Sequence, residues 1–281
     1  MHAYYLTQWI LFFFIYSFIG WVWESCYVSV RKRRWVNRGF LHGPMLPIYG
    51  SGALVILIST IGVRENPWLI FLFGMLAATV LEYITGAVME KMFHVRYWDY
   101  SRQKLNLNRY ICVSSSLCWG VFSVLLLRAV HIPVERAVLD IPMFITDGAA
   151  LVLTVIMSVD LTQSFNEAMD LKQVLAQLEE SKEQIGEMQE KLLQLEELAE
   201  RIEVLLKEEI PSKAGSLISE EKREELKKFR NSIAGEFGRM SSRTDKIYLH
   251  IASQLKRNPT AASKKFAKAL EELKDTLENI K

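Results

Sequence analysis

Arg31-Lys32-Arg33-Arg34, followed by Asn37-Arg38-Gly39-Phe40-Leu41-His42-Gly43-Pro44-Met45-Leu46-Pro47-Ile48-Tyr49-Gly50-Ser51-Gly52, decides how this chain folds. The four cations end a long apolar run and stay out of hydrocarbon, because each costs about 2.5–3.5 kcal/mol at mid-membrane. They therefore mark a cytoplasmic face. The residues after them cannot form a regular helix throughout. Pro44 and Pro47 lack the backbone donor, and Gly39 and Gly43 favour bends. Irregular backbone at membrane depth persists only where protein or a water-filled cavity satisfies its polar groups. Two readings stand side by side: a binding segment set into the bilayer, or a cytoplasmic loop ending in a capped helix start.

Outward from this stretch, the two parts of the chain differ in kind. The 281 residues are 50% hydrophobic with a formal net charge of +2. Up to Leu161 they form apolar runs of spanning length, which takes about 20 residues each. The runs cover Leu6–Val30, Met45–Val63, Trp68–Met89, Tyr110–Val130 and Met143–Leu161. Tyr4, Tyr5, Trp21 and Trp23 flank the first as interfacial aromatics do. Arg64-Glu65-Asn66-Pro67 is a tight polar turn. The loops after the first and third runs are cationic and the others balanced, so the positive-inside bias puts the amino terminus outside and the carboxy terminus in the cytoplasm. The start, Met1-His-Ala-Tyr-Tyr, lacks a cationic n-region, so a cleaved signal peptide is not expected.

Beyond Glu167 the composition shifts to Glu, Lys, Arg, Leu and Ala. No proline lies between Met143 and Ile210, so the fifth run can continue as one helix into the cytoplasm. A heptad seam follows: Leu171, Val174, Leu178, Ser181, Ile185, Met188, Leu192, Leu195, Ala199, Ile202 and Leu206. Its narrowness predicts a left-handed coiled coil and a homo-oligomer through Leu171–Leu206; the alternative is a long helix packed on its own chain. Pro211–Ser216 is a break, and Ser219-Glu220-Glu221 restarts a helix. Another helix carries Ile247, Ile251 and Leu255 and stops at Asn258-Pro259. Thr260 opens the last one, whose apolar line is Phe266, Leu270, Leu273, Leu277 and Ile280. These helices could fold back onto the long one as a small bundle. The expected class is all-α: a polytopic membrane bundle of about five transmembrane helices, then a cytoplasmic coiled coil and a small helical region. The boundaries read 1–163, 164–210 and 211–281.

Ionisable groups inside membrane spans face the bundle interior and a partner. Glu24 and Glu82 lie in the cytoplasmic halves of the first and third runs, and Glu90 sits at the third run's exit. Arg38 and Arg109, each preceded by asparagine, are the expected partners of Glu24 and Glu82. The repeated order, acid-bearing run then Asn-Arg, suggests a parallel duplication. The functional reading is a polar pocket lined by Glu24, Arg38, Gly39, Gly43, Pro44, Pro47, Tyr49, Glu82, Glu90, Asp99 and Arg109. The bland one is that these charges merely pair and fix helix register. Asp147 and Asp160 are expected to snorkel or cap at the ends of the fifth run. Arg31, Lys32, Arg33 and Arg34 suit anionic lipid headgroups, at about 1 kcal/mol per cation.

Cys26, Cys112 and Cys118 read as packing residues. The five histidines lack metal-ligand spacing, so no metal and no cofactor is expected. Neither part has the one-sided basic face that nucleic acid requires. Nucleotide-loop, H-E-x-x-H and G-x-S-x-G patterns are all missing, so no enzyme activity is expected. If ATP drives this protein, another chain binds it.

Several motifs resemble the CmpB-like, "putative type IV ABC-transporter" family of bacterial membrane proteins. They are Tyr16-Ser17-x-x-Gly20-Trp21-x-x-Glu24, Asn37-Arg38-Gly39-Phe40-Leu41-x-Gly43-Pro44-x-x-Pro47-Ile48-Tyr49-Gly50, and Leu81-Glu82-Tyr83-x-Thr85-Gly86 with Glu90. Trp98-Asp99-Tyr100-Ser101, Arg109 and Trp119-Gly120 complete them. Tyr97 stands where the family often doubles the tryptophan, and Asn108 where a glycine often precedes the arginine. The resemblance covers about residues 10–160 and leaves out the cytoplasmic coil. It implies a multi-span permease-like component handling an unidentified solute or lipid, with a separate ATPase subunit as partner. The alternative is a non-transporting membrane anchor, sensor or scaffold that assembles partners through its coil.

Overall fold

A computed structural model describes residues 4–209 and 245–279 of the chain. Helices dominate it. In order they are α1 (Leu6–Lys32), α2 (Pro47–Ser59), α3 (Pro67–Phe93), α4 (Val113–Leu125), α5 (His131–Leu139), α6 (Met143–Glu209), α7 (Asp245–Arg257) and α8 (Ala267–Asn279). A small antiparallel hairpin, β1 (Asn106–Leu107) and β2 (Ile111–Cys112), lies between α3 and α4.

Four stretches are long and apolar enough to cross a membrane: Leu6–Lys32, Pro67–Phe93, Val113–Leu139 and Met143–Ser181. The second expected span differs, because α2 has only 13 residues. At ~1.5 Å per residue it covers about 20 Å, against a hydrocarbon thickness of about 30 Å. The Gly/Pro segment in front of it runs on along α1, with the Arg38 N–H on Ser25 Oγ and the Leu46 N–H on the Ser17 carbonyl. The fourth span is longer than expected: α4 runs through a π turn, Leu126–Val130, into α5. Pro133 has no N–H for the carbonyl four residues earlier, and the wide π turn lies where that bond is missing.

Small residues let the helices approach. A side chain on Gly20 would collide with Tyr49, one on Gly50 with Ser17 and the Phe13 carbonyl, and one on Gly74 with Ser123. This is the usual device where hydrocarbon outside offers no hydrophobic drive between helices. The core of the bundle gathers Phe12, Tyr16, Ile56, Leu57, Ile70, Ala78 and Val138. Its far end is tied by the His131 ring, which meets the Tyr16 hydroxyl at 2.6 Å.

The chain separates into two compact units, Met1–Lys172 with Ile251–Lys281, and Gln173–His250. Within the second, α6 continues as helix to Glu209. Of the heptad seam, Leu171 and Val174 are buried and Leu178 and Ser181 half-buried; the side chains of Ile185, Met188, Leu192, Leu195, Ala199, Ile202 and Leu206 lie outside the described residues. So do the Pro211–Ser216 break and the helix restart at Ser219. The last helix begins at Ala267 rather than Thr260. Residues 260–266 are instead turn and bridge, and Ser263 Oγ caps the Phe266 N–H at 3.0 Å. Ala262 exchanges both backbone hydrogen bonds with Arg96, at 2.7 and 2.9 Å. That bridge places the stretch after α7 in the membrane-helix unit.

Candidate functional site

The stretch from Val36 to Leu46 runs back along α1. The Val36 N–H donates to Ser29 Oγ (2.9 Å), the Arg38 N–H to Ser25 Oγ (3.1 Å) and the Leu46 N–H to the Ser17 carbonyl (3.0 Å). Each step along the segment meets a residue nearer the start of α1, so the two are antiparallel. Ser25 and Ser29, four apart, stand one above the other on a single helix face. Val36, Leu41 and Leu46 are buried and anchor the segment. Gly39 has φ +137°, a conformation that L side chains rarely adopt.

Side chains meet several of the segment's other polar groups. Asp160 on α6 accepts the His42 N–H at 2.9 Å and the Gly43 N–H at 2.7 Å. Asn37 Nδ2 donates to the His42 carbonyl, and Trp21 Nε1 donates to Asn37 Oδ1. The His42 ring lies between two carboxylates, with Nδ1 3.0 Å from Asp160 and Nε2 2.9 Å from Glu167. Glu167 in turn accepts from Arg257 Nη2 at 2.8 Å. Irregular backbone beside a candidate span is thus satisfied by protein.

Two carboxylates lie just beyond it, each with its own partners. Glu24 on α1 accepts the Tyr49 hydroxyl at 2.8 Å and lies 3.8 Å from Arg38 Nε. Glu82 on α3 is buried and accepts the Tyr100 hydroxyl at 3.0 Å and Trp119 Nε1 at 3.1 Å. The Tyr49 and Trp119 rings are 5.5 Å apart and join the two halves. Burial, with Glu82 next, pushes the Tyr100 phenol well up, so it serves as a standing donor. Arg38 is the cation of the group, with its side chain only 12% exposed.

Not every expected lining residue arrives here. Arg109 is exposed and offers only its carbonyl, to the Tyr100 N–H at 3.1 Å. The expected Glu82–Arg109 pair is therefore replaced by neutral donors, Tyr100 and Trp119. Glu90 and Asp99 gather instead around Arg96, at 3.0 and 3.5 Å, and Tyr110 also donates to Glu90. Pro47 opens α2 at its first turn, while Pro44 faces outward. Arg31, Lys32, Arg33 and Arg34 are all exposed, and Arg33 closes α1 in a left-handed conformation. Asp160, Glu167, Asn258, Gln254 and Arg257 were not anticipated as part of the network. Of these, Asp160 carries a sequence signal, an acid at the end of an apolar run. Among the described residues, no group of three His, Cys, Asp or Glu is placed to hold a metal ion.

Comparison with known proteins gives one family match. The family described as "Putative ABC-transporter type IV" matches residues 11–165. No curated protein and no solved structure matches the chain.

Proposed function

The chain belongs to the type IV ABC-transporter family just described, and from that premise we propose that it is the permease-like membrane component of such a system. The pocket formed by Glu24, Arg38, Tyr49, Glu82, Tyr100 and Trp119 handles a solute or lipid. One observation carries this reading. Two carboxylates and a guanidinium stand together inside an apolar bundle, and Glu82 is held only by neutral donors among the described residues. Charges kept merely for helix register would be expected to pair one to one, whereas ionisable groups within spans commonly mark a substrate path. Gly39, Gly43, Pro44 and Pro47 shape the segment that carries Arg38, and the Arg31–Arg34 cluster sits among anionic headgroups. A separate ATPase subunit supplies the energy, the amino terminus lies outside and the carboxy terminus in the cytoplasm.

The test is purification of the full chain from its native membrane in mild detergent. An ATPase subunit should co-purify, and mass spectrometry should find a small molecule retained by the wild type and lost from Glu24→Gln. A reporter fused after Lys281 should be cytoplasmic. An unchanged profile of retained compounds in Glu24→Gln would remove the pocket.

A second reading draws on the continuation of α6 to Glu209. Here the chain is an anchor or scaffold that self-associates through Leu171–Leu206. It expects loss of function on removal of the coil and indifference to substitutions at Glu24 and Arg38.

A further inference from the structure

The outer face of Arg38 already has an occupant, and that occupant comes from the far end of the chain. Arg38 Nη1 donates to Asn258 Oδ1 at 2.7 Å and to the Arg257 carbonyl at 3.4 Å. Nη2 donates to the Tyr97 carbonyl at 3.1 Å and to Thr260 Oγ1 at 3.4 Å. Asn258 also donates from Nδ2 to the Gly39 carbonyl at 2.9 Å, so one side chain covers both the guanidinium and the bend beside it. Ala262 then pairs with Arg96 through its backbone.

All four of these acceptors are neutral. Among the described residues the one carboxylate paired with Arg38 is Glu24, at 3.8 Å from Nε on the inner side. A carboxylate or phosphate oxygen brings a negative charge of its own to the guanidinium, so both ends of the bond are ionised and the attraction exceeds that of a neutral acceptor. The planar guanidinium fork fits such a group with two parallel bonds. The side-chain amide, hydroxyl and carbonyls on Arg38 thus stand where the oxygens of an oxyanion would bind better.

We propose that the turn Asn258–Ser263 is an internal stopper on Arg38, displaced when an oxyanion, carboxylate or phosphate, takes its place on the guanidinium. This rests on the pocket reading above and names the ligand class and the regulation of that site. α7 keeps its own hold when the turn lifts, Arg257 on Glu167 at 2.8 Å and Gln254 Nε2 on the Ser164 carbonyl at 3.1 Å; besides the Arg96 bridge, lifting gives up the Ser263 hydroxyl's bond to the His94 carbonyl and the Lys274 amine's bond to the Ala261 carbonyl, both 2.6 Å. The stopper also lies outside residues 11–165, so pocket and stopper are separable parts of the sequence. The oxyanion can be a free solute or the phosphate of a lipid headgroup.

Hydrogen exchange of the full chain in nanodiscs tests this, read on peptides covering Arg96 and Ala262, whose N–H groups are the two bridge donors. In phosphatidylcholine discs, wild type exchanges slowly there, and Asn258→Ala with Thr260→Ala raises the rate by about tenfold or more while α3 stays unchanged. Inorganic phosphate added to wild type, or phosphatidylglycerol put into its discs, opens the bridge to a similar degree; whichever acts identifies the source. Arg38→Gln exchanges quickly from the start and does not respond, whereas Arg38→Lys keeps a weakened response. The stopper is ruled out if neither anion speeds exchange in wild type, if Arg38→Gln still responds, or if the double variant matches wild type. Failure of the pocket reading looks different: Glu24→Gln would leave the retained compounds unchanged while the bridge still opened to phosphate.

Discussion

Asp160, near the end of the fifth apolar run, accepts the Gly43 N–H at 2.7 Å and so holds irregular backbone against α6. Its other oxygen takes the His42 N–H. Asp160→Ala leaves both donors without a partner, at about 1–3 kcal/mol each. Asp160→Asn keeps one acceptor oxygen and should lose less. Thermal unfolding of the full chain in detergent reads the order; equal losses would show that the paired oxygens are not what matters.

Gly50 admits no side chain without moving Ser17 or the Phe13 carbonyl, whereas nothing lies within 4 Å of a side chain at Gly62. Gly50→Ala should therefore destabilise by about 1–3 kcal/mol. Gly62→Ala should stay within about 0.5 kcal/mol of wild type. The comparison is made by folded fraction after extraction, and a neutral Gly50→Ala would mean that α1 and α2 do not approach this closely.

Arg38 and Glu24 should differ in cost. Arg38→Ala removes the donor to Asn258, Tyr97, Thr260 and the Arg257 carbonyl as well as the partner of Glu24. Glu24→Gln keeps a side-chain acceptor for Tyr49 and loses only the charge. Removing one partner of a buried pair costs about 3–5 kcal/mol, an upper figure here because Glu24 is 30% exposed. A double-variant cycle that found no coupling between the two would separate them.

Tyr110 supplies a pH-dependent signature. Its hydrogen bond to Glu90, with burial next, lifts the phenol from 10.0 to about 12. The folded value lies above the unfolded one, so the stabilisation is complete below pH 10.0 and is lost as pH climbs through about 12. Ultraviolet titration of wild type and Glu90→Gln should differ by one tyrosine, whose late transition the variant brings forward. No change in that variant would deny the bond.

The long helices were legible because hydropathy over about 20 residues is a strong signal. The irregular segment was legible from Gly39, Gly43, Pro44 and Pro47, whose backbone limits are local. Its partners were not. Ser25 and Ser29 look like ordinary polar residues in an apolar helix until the irregular segment lies beside them. Matching charges pairs Glu82 with Arg109, yet the buried Glu82 takes the neutral donors Tyr100 and Trp119, which composition alone does not single out. Arg96 reads as one of several cations in a loop with Glu90 and Asp99, and nothing local singles it out as the one both acids meet. Asn258-Pro259 reads as a helix stop, and nothing near it in sequence says that the stop lands on Arg38.

The run from Val36 to Leu46 works as a ruler. It is pinned to Ser29, Ser25 and Ser17, so the number of residues between the pins sets where α2 begins. One residue more or fewer would slide Tyr49 along α1 and take its hydroxyl away from Glu24. Surface loops absorb such insertions freely. Here length itself is the conserved quantity to look for, and a homologue of different length in this run should carry a different residue at position 49.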